Sequence, residues 1–261
     1  QINRSEKTIR NQLDGLNQFF LSYNITIDTI PGKGSCVISD PDNIEKALSY
    51  LSAHKEQLNH IQSHERMYVL LLLLFRKRTR YSISQLERML YVSRSCIYQD
   101  LKRAQAWLTS YNITIENSHA NGLHLSGGEK RLRLATVYLI YEILHSNLNR
   151  KHVLQYFHQD RCIYEILDGD SSSITMIVKY LKKLEKSNDR YFAKDQLEKI
   201  AYLFLISIDR IKHGKLVTIS PSTAEKIVET QWLISLKTSI IHIEKHFDIV
   251  FGNNELYYLA G

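Results

Sequence analysis

One hexapeptide occurs twice in this chain and fixes most of what the chain can fold into. Ser-Tyr-Asn-Ile-Thr-Ile stands at Ser22–Ile27 and again at Ser110–Ile115, 88 residues later. The same offset relates Ser5 to Ser93, Ile9 to Ile97, Leu13 to Leu101 and Gly34 to Gly122. A run of six identities with further matches at one register is not a chance coincidence. The chain therefore repeats one structural unit at least twice.

The second copy reads as complete. Apolar residues at helical spacing predict a helix over 64–77. Ser82 is placed to cap a second helix, about 83–90, with Leu86, Met89 and Leu90 on one face. Tyr91-Val92-Ser93 is the short connection, and Ser93 is expected to cap a third helix from Arg94 to about Thr109. Its expected buried stripe is Ile97, Leu101, Ala104 and Leu108. After Tyr111 the period changes to two. Ile113 and Ile115 alternate with Thr114, Leu123 and Leu125 with His124, and Asn121-Gly122 marks the turn between them. Helix, short helix, turn, helix and hairpin is the order of a winged helix-turn-helix, whose helix after the turn lies in the DNA major groove.

The first copy gives the same order from its third helix onward. Ser5 is the expected cap, with Ile9, Leu13, Leu16 and Phe20 as the buried stripe. Ile25 and Ile27 start the wing, and Gly32-Lys33-Gly34 turns it. Helices one and two of this copy would map before residue 1, so the sequence is expected to begin inside a domain.

The faces opposite the buried stripes carry the candidate DNA contacts. In the second copy these are Arg94, Ser95, Tyr98, Gln99, Lys102 and Arg103; in the first, Lys7, Thr8, Arg10 and Asn11, followed by Gln12. Arg and Gln can bond base edges in pairs, whereas Ser, Tyr and Lys suit phosphates. Such residues are ordinary on any solvated helix, and it is their recurrence in two copies that favours the functional reading. The formal net charge of +7 agrees with a polyanionic partner. The run Arg76-Lys77-Arg78-Thr79-Arg80 reads equally as a backbone contact or a solvated loop.

Other classes find little support. Ten glycines and three prolines leave few tight turns and favour a helix-rich fold. Cys36, Cys96 and Cys162 make no CxxC pair, which suits a reducing cytoplasm. The longest apolar run, Tyr68–Phe75, falls far short of the roughly 20 residues of a membrane span. No signal-peptide pattern is visible. His242 and His246 share one helix face, but Ile243 stands where a zinc protease needs Glu, so no metal and no cofactor is expected. His54, His60 and His64 read as the solvated face of a linker helix. Gly127-Gly128-Glu129-Lys130 lacks phosphate-loop spacing, and no nucleophile–base set stands out. The chain is expected not to be an enzyme.

Several stretches resemble one family. Arg4–Arg10 with Leu13 and Leu16-Asn17 resembles the first recognition helix of the sugar-phosphotransferase regulators that carry PRD domains, and Gly32-Lys33-Gly34 their first wing. Val92–Leu101 resembles the second recognition helix, and Asn121–Glu129 with Arg133 the stretch closing the second winged unit. The family includes BglG/MtlR/LicR-type activators, with Mga/AtxA-type virulence regulators as relatives. Tyr191 onward, with Leu203–Gly214, resembles the core helix of a first PRD bundle, and Phe251–Ala260 the motif before a second PRD histidine.

The resemblance implies a mainly α fold: tandem winged helix-turn-helix units followed by an all-α PRD bundle. The expected divisions are 1–60, 61–130, a helical linker over 131–170, and the bundle over 171–261. It implies a cytoplasmic, homodimeric transcription regulator of a carbohydrate-uptake or virulence operon, binding double-stranded DNA, with phosphocarrier or sugar-transport proteins as partners. In the family, histidine phosphorylation controls activity. Here Leu203 stands where the first such histidine is expected, seven residues before Arg210, and His213, His242 and His246 lie nearby but off the motif. Two alternatives remain at this point. One is a PRD-type RNA-binding antiterminator, whose β-rich RNA domain is not found here. The other is a helical module for protein–protein contacts.

Overall fold

The computed structural model describes residues 13, 16–17, 20–30, 34–53, 61–76, 80–118, 122–157, 160–169 and 171–261. The chain forms two compact units, Gln1–His60 and Ile61–Gly261.

The first unit holds an antiparallel hairpin, β1 (Thr26–Ile30) and β2 (Gly34–Ile38), followed by helix α1 (Pro41–Ala53). Asn24 turns the chain into β1 in the left-handed conformation, a place where Asn is tolerated because its short side chain bonds locally. Ile25 and Ala47 are buried among its described residues. Leu13 and Phe20 of the expected stripe are half-buried, but Leu16 is 46% exposed. Ser5, Ile9 and the turn residues Gly32 and Lys33 lie outside the described residues.

The second unit begins with α2 (Ser63–Phe75), α3 (Ile83–Leu90) and α4 (Arg94–Thr109), then the hairpin β3 (Thr114–Ser118) and β4 (Gly122–Ser126). From Val69 to Leu74 every side chain of α2 is buried. A helix apolar all round can only sit inside a core, and α2 packs against α4 on one side and the following helix on another. Ser82 caps α3 as expected, accepting from the Gln85 amide at 3.2 Å while the Gln85 side chain returns to the Ser82 amide at 2.8 Å.

The 88-residue repeat holds in three dimensions and reaches further than the hexapeptide. Asn112 mirrors Asn24 at positive φ, and Gly122 mirrors Gly34. The strand pairings superpose by the same offset, Thr26 opposite Ile38 and Thr114 opposite Ser126. One clamp also repeats. Asn17 bonds both the N–H and the C=O of Ile27, at 2.6 and 2.8 Å. Gln105, 88 residues on, takes the Ile115 N–H at 2.7 Å and donates to the Ile113 carbonyl at 3.1 Å. Helix α1 begins at Pro41 and its counterpart α5 (Glu129–His145) 88 residues later. Each is tied back by a tyrosine pair, Tyr23–Tyr50 at 5.8 Å and Tyr111–Tyr138 at 6.1 Å.

The rest is helical: α6 (Arg150–Leu154), α7 (Arg161–Asp168), α8 (Ser172–Ser187), α9 (Lys194–Lys212), α10 (Pro221–Val228), α11 (Gln231–Ser239), α12 (Ile241–Phe247) and α13 (Asn253–Ala260). The architecture is mainly α with two-stranded wings, as expected. Helix α5 lies in the stretch expected as a helical linker. Leu132, Leu139, Ile140 and Ile143 of α5 are buried, and α5 packs on both α2 and α9. A single apolar cluster runs from Ile61 to Leu256.

A buried ionic network crosses this core. Arg133 on α5 is bidentate to Glu255 on α13, at 2.5 and 2.9 Å, and also reaches Glu129 at 3.2 Å. Glu129 in turn holds Arg210 of α9 at 2.5 and 2.6 Å. Glu255 accepts the Val217 amide at 2.9 Å, and Arg133 donates to the Lys215 carbonyl at 2.8 Å. The Tyr258 ring lies 5.6 Å from the Arg133 guanidinium, and burial pushes its phenol up to about 12. Removing charges from water is expensive unless partners satisfy them, and here both buried groups are bonded on several sides. Glu129 and Arg133, which resembled a closing motif of the winged unit, join that unit to the helical half.

Candidate nucleic-acid interface

The helix-turn-helix is α3, the connection Tyr91–Ser93, and α4. Tyr91 turns the chain in the left-handed region at φ 50°, and the amide of Val92 bonds the Glu87 carbonyl at 3.2 Å. A bulky residue at positive φ carries strain of order 1 kcal/mol or more, held here by the helices on either side. Val92 tucks its side chain against the core while Tyr91 stands in solvent.

Ser93 occupies the N-cap position, but its hydroxyl does not cap, contrary to expectation. It bonds the Ser95 hydroxyl at 2.9 Å and the Cys96 sulfur at 3.3 Å. Among the described residues no side chain caps the first turn of α4, so those amides point outward. Uncapped N–H groups and the helix dipole favour an anion there.

The orientation of α4 is set by a buried charge. Ile97, Ala104 and Leu108 are fully buried as expected, and Leu101 is half-buried at the edge of the stripe. The fourth buried position is Asp100, at 0% exposure. Arg66 of α2, itself buried, pairs with its carboxylate and donates to the Ile61 carbonyl at 3.4 Å. Arg103 bonds the same carboxylate at 2.9 Å and the Ser63 hydroxyl at 2.5 Å. A carboxylate bridging two guanidiniums fixes both the rotation and the height of α4 against α2.

Arg94, Ser95, Tyr98, Gln99 and Lys102 all project from the exposed side of α4. The Arg94 guanidinium stands 5.9 Å from the Tyr98 ring. Arg103 is partly exposed on the same helix, yet its guanidinium is engaged with Asp100 and Ser63. Beside α4, Gln105 clamps the start of the wing, and Leu123 bonds the Tyr81 carbonyl at 2.9 Å, adding a one-residue third strand. His124 and Glu116 face each other across the wing at 3.2 Å.

Asp100, Arg66 and the Gln105 clamp were missed in the sequence. A signal for Asp100 was available: it lies three residues after Ile97 and four before Ala104, on the buried stripe itself. Arg66 carried no comparable signal. Lys7, Thr8, Arg10 and Asn11 lie outside the described residues, as do Lys77, Arg78 and Thr79. Arg76, expected in a basic loop, turns instead to Asp160 at 2.9 Å and lies 5.8 Å from the Phe157 ring. Leu203 packs half-buried on α9, His213 bonds the Asp209 carbonyl at 2.6 Å, and His242 and His246 are exposed on α12. Among the described residues no three His, Cys, Asp or Glu side chains are grouped to hold a metal ion, and no helix is long and apolar enough to cross a membrane.

Two helices joined by a tight turn, with a clamped hairpin beside the second, define a winged helix-turn-helix domain. Residues 52–140 match the Mga helix-turn-helix domain family. Over its whole length the chain is 25% identical to the transcriptional regulator ManR of Bacillus subtilis (strain 168) and 20% identical to the probable licABCH operon regulator of the same organism. It spans 38% and 39% of the length of these two relatives. The matches bear out the resemblance read from the sequence, to bacterial transcription regulators of the Mga and phosphotransferase-operon kind.

Proposed function

We propose that this chain is the DNA-binding and adjoining regulatory part of a cytoplasmic transcription regulator, without enzymatic activity. The observation that supports it best is the exposed face of α4. Five polar or basic side chains, Arg94, Ser95, Tyr98, Gln99 and Lys102, project from a helix whose opposite face is locked by the buried Asp100. In this reading Arg94 and Gln99 contact base edges, and Ser95, Tyr98 and Lys102 contact phosphates. Arg103 acts through Asp100 as a positioning residue. In the first unit, Lys7, Thr8, Arg10 and Asn11 take the corresponding roles.

The helical half is the regulatory part, a PRD-like bundle that controls activity through dimerisation. The proposed target is a carbohydrate-uptake or virulence operon, with this protein as its activator; the similarity to a probable operon regulator supports an operon as the target. Phosphocarrier or sugar-transport proteins are the proposed upstream partners. His242 and His246, exposed on α12, are more accessible phosphate acceptors than His213.

Fluorescence anisotropy with duplex DNA from upstream of the protein's own operon tests the DNA-binding reading. Affinity should fall steeply with salt, because phosphate contacts release counterions. Arg94→Ala and Gln99→Ala should each lower discrimination between the operator and a scrambled duplex by about tenfold, the worth of about 1–3 kcal/mol for one lost base contact. No binding at low salt, or unchanged discrimination in both variants, overturns the assignment.

A further inference from the structure

A cleft of about 510 Å³ opens where α2 meets the helical half, within the size range of small-molecule sites. Its floor is apolar, made by Leu72 and Phe75 of α2, Ile163 of α7 and Ile206 of α9. Its rim is basic: Arg76, Arg161, Arg210, Lys212 and Lys215 against the two carboxylates Asp160 and Asp209. The carboxylates are already occupied. Asp160 pairs with Arg76 and accepts the Ile163 amide at 3.1 Å, and Asp209 faces His213 at 3.5 Å. Arg210 is bidentate to Glu129, and Arg161 holds Glu165 at 2.6 Å. Neither Lys212 nor Lys215 has an acidic partner among the described residues. They stand three residues apart where α9 ends; both line the cleft and both are exposed.

We propose that this cleft binds a small organic polyanion, a molecule with at least two negative charges on a body that rests on the apolar floor. Lys212 and Lys215 take the charges; Phe75, Ile163 and Ile206 take the body. Because α2 belongs to the winged unit and α7 and α9 to the bundle, an occupant touches both. The proposal does not depend on DNA binding, so its test is separate.

Inorganic pyrophosphate serves as the probe, titrated calorimetrically into the protein at constant ionic strength. Saturable binding in the micromolar to millimolar range is expected. The double variant Lys212→Ala/Lys215→Ala should weaken it about tenfold or more, since each lost charged hydrogen bond is a sizeable fraction of so weak an affinity. Lys194→Ala/Lys226→Ala, which removes the same charge from exposed sites elsewhere on α9 and on α10, should leave it unchanged. All four lysines are exposed, and matched thermal melts check that both variants fold. Dilution heat alone overturns the site, as does equal weakening in both double variants, which marks a general charge effect. Loss of DNA affinity in Lys212→Ala/Lys215→Ala with no pyrophosphate binding also overturns it, and reassigns the lysines to the DNA backbone.

Discussion

The two wings are the same piece of sequence-coded geometry placed in different surroundings. Both enter through Asn in the left-handed conformation, both turn at a positive-φ glycine, and both are held at the first strand by an amide side chain from the preceding helix. Their burial diverges. In the first unit all of β2 is exposed, Val37 at 57%. In the second, Leu123 is buried at 3% and bonded to Tyr81. The likeness shows that local interactions suffice to write the hairpin. In the second unit that burial comes with a partner 42 residues away in sequence, and the second unit carries buried charges which the described part of the first lacks.

The largest test of that contrast removes a buried charge from the second unit. Arg133→Ala leaves Glu255 buried and unpaired, and Asp100→Ala does the same to Arg66. Each should destabilise Ile61–Gly261 by about 3–5 kcal/mol, as for other broken buried pairs. Denaturant melts followed by hydrogen exchange should show the loss there and leave β1 and β2 unaffected. A uniform loss across both hairpins would break the distinction between the units.

The paired glycines come next. Alanine at Gly122 would meet the Tyr81 carbonyl oxygen at 2.8 Å as well as adopt a disfavoured φ of 68°. At Gly34, φ is 101° with nothing within 4 Å. Gly34→Ala should cost about 1–2 kcal/mol from backbone strain alone. Gly122→Ala should exceed it by a further 1 kcal/mol or so, the lower end of an overpacking penalty. Amide exchange at Ile27 and Ile115 reads each hairpin separately, and equal effects would show that Tyr81 gives way.

The clamps should behave alike. Asn17→Ala and Gln105→Ala each remove two hydrogen bonds at the start of the wing, worth about 1–2 kcal/mol together. Local exchange in each hairpin checks this, and a large effect in only one unit would mean that its partner clamp is incidental.

The smallest expected effect is with pH. Burial raises the Glu65 carboxyl, but the amides of Gln62 and Asn149 and the His152 side chain outweigh it, and its pKa is lowered overall. A depressed folded pKa contributes stability above the unfolded value, which is lost as pH falls through the folded one. Stability should therefore decline below the ordinary glutamate range, and Glu65→Gln should flatten part of that decline. An identical acid limb in the variant would remove Glu65 from the account.

The candidate interface was partly legible for the same reason the wings were. Ser93 and the stripe of α4 sit close in sequence to what they organise, so periodicity placed Arg94 to Thr109 and its outward residues. It misjudged Ser93, whose hydroxyl bonds the Ser95 and Cys96 side chains and caps no amide, and Leu16, which is 46% exposed. It gave no warning that Arg103 is held by Asp100 and Ser63, because an arginine on an exposed helix reads the same whether free or engaged.

The sequence by itself determined the repeat, the helix and hairpin order, the turn residues and the direction of the polar face of α4. Each depends on backbone preferences and side-chain spacing within a few residues, where the chain carries its own instructions. Only the tertiary structure decided that α5 packs into the core, that Arg66 and Asp100 lock α4, and that Glu129, Arg133, Arg210 and Glu255 join the winged unit to the helical half. Those pairs lie 34 to 122 residues apart. A charged side chain is stable in water or against an opposite charge, and which of the two it meets is settled only when the helices pack.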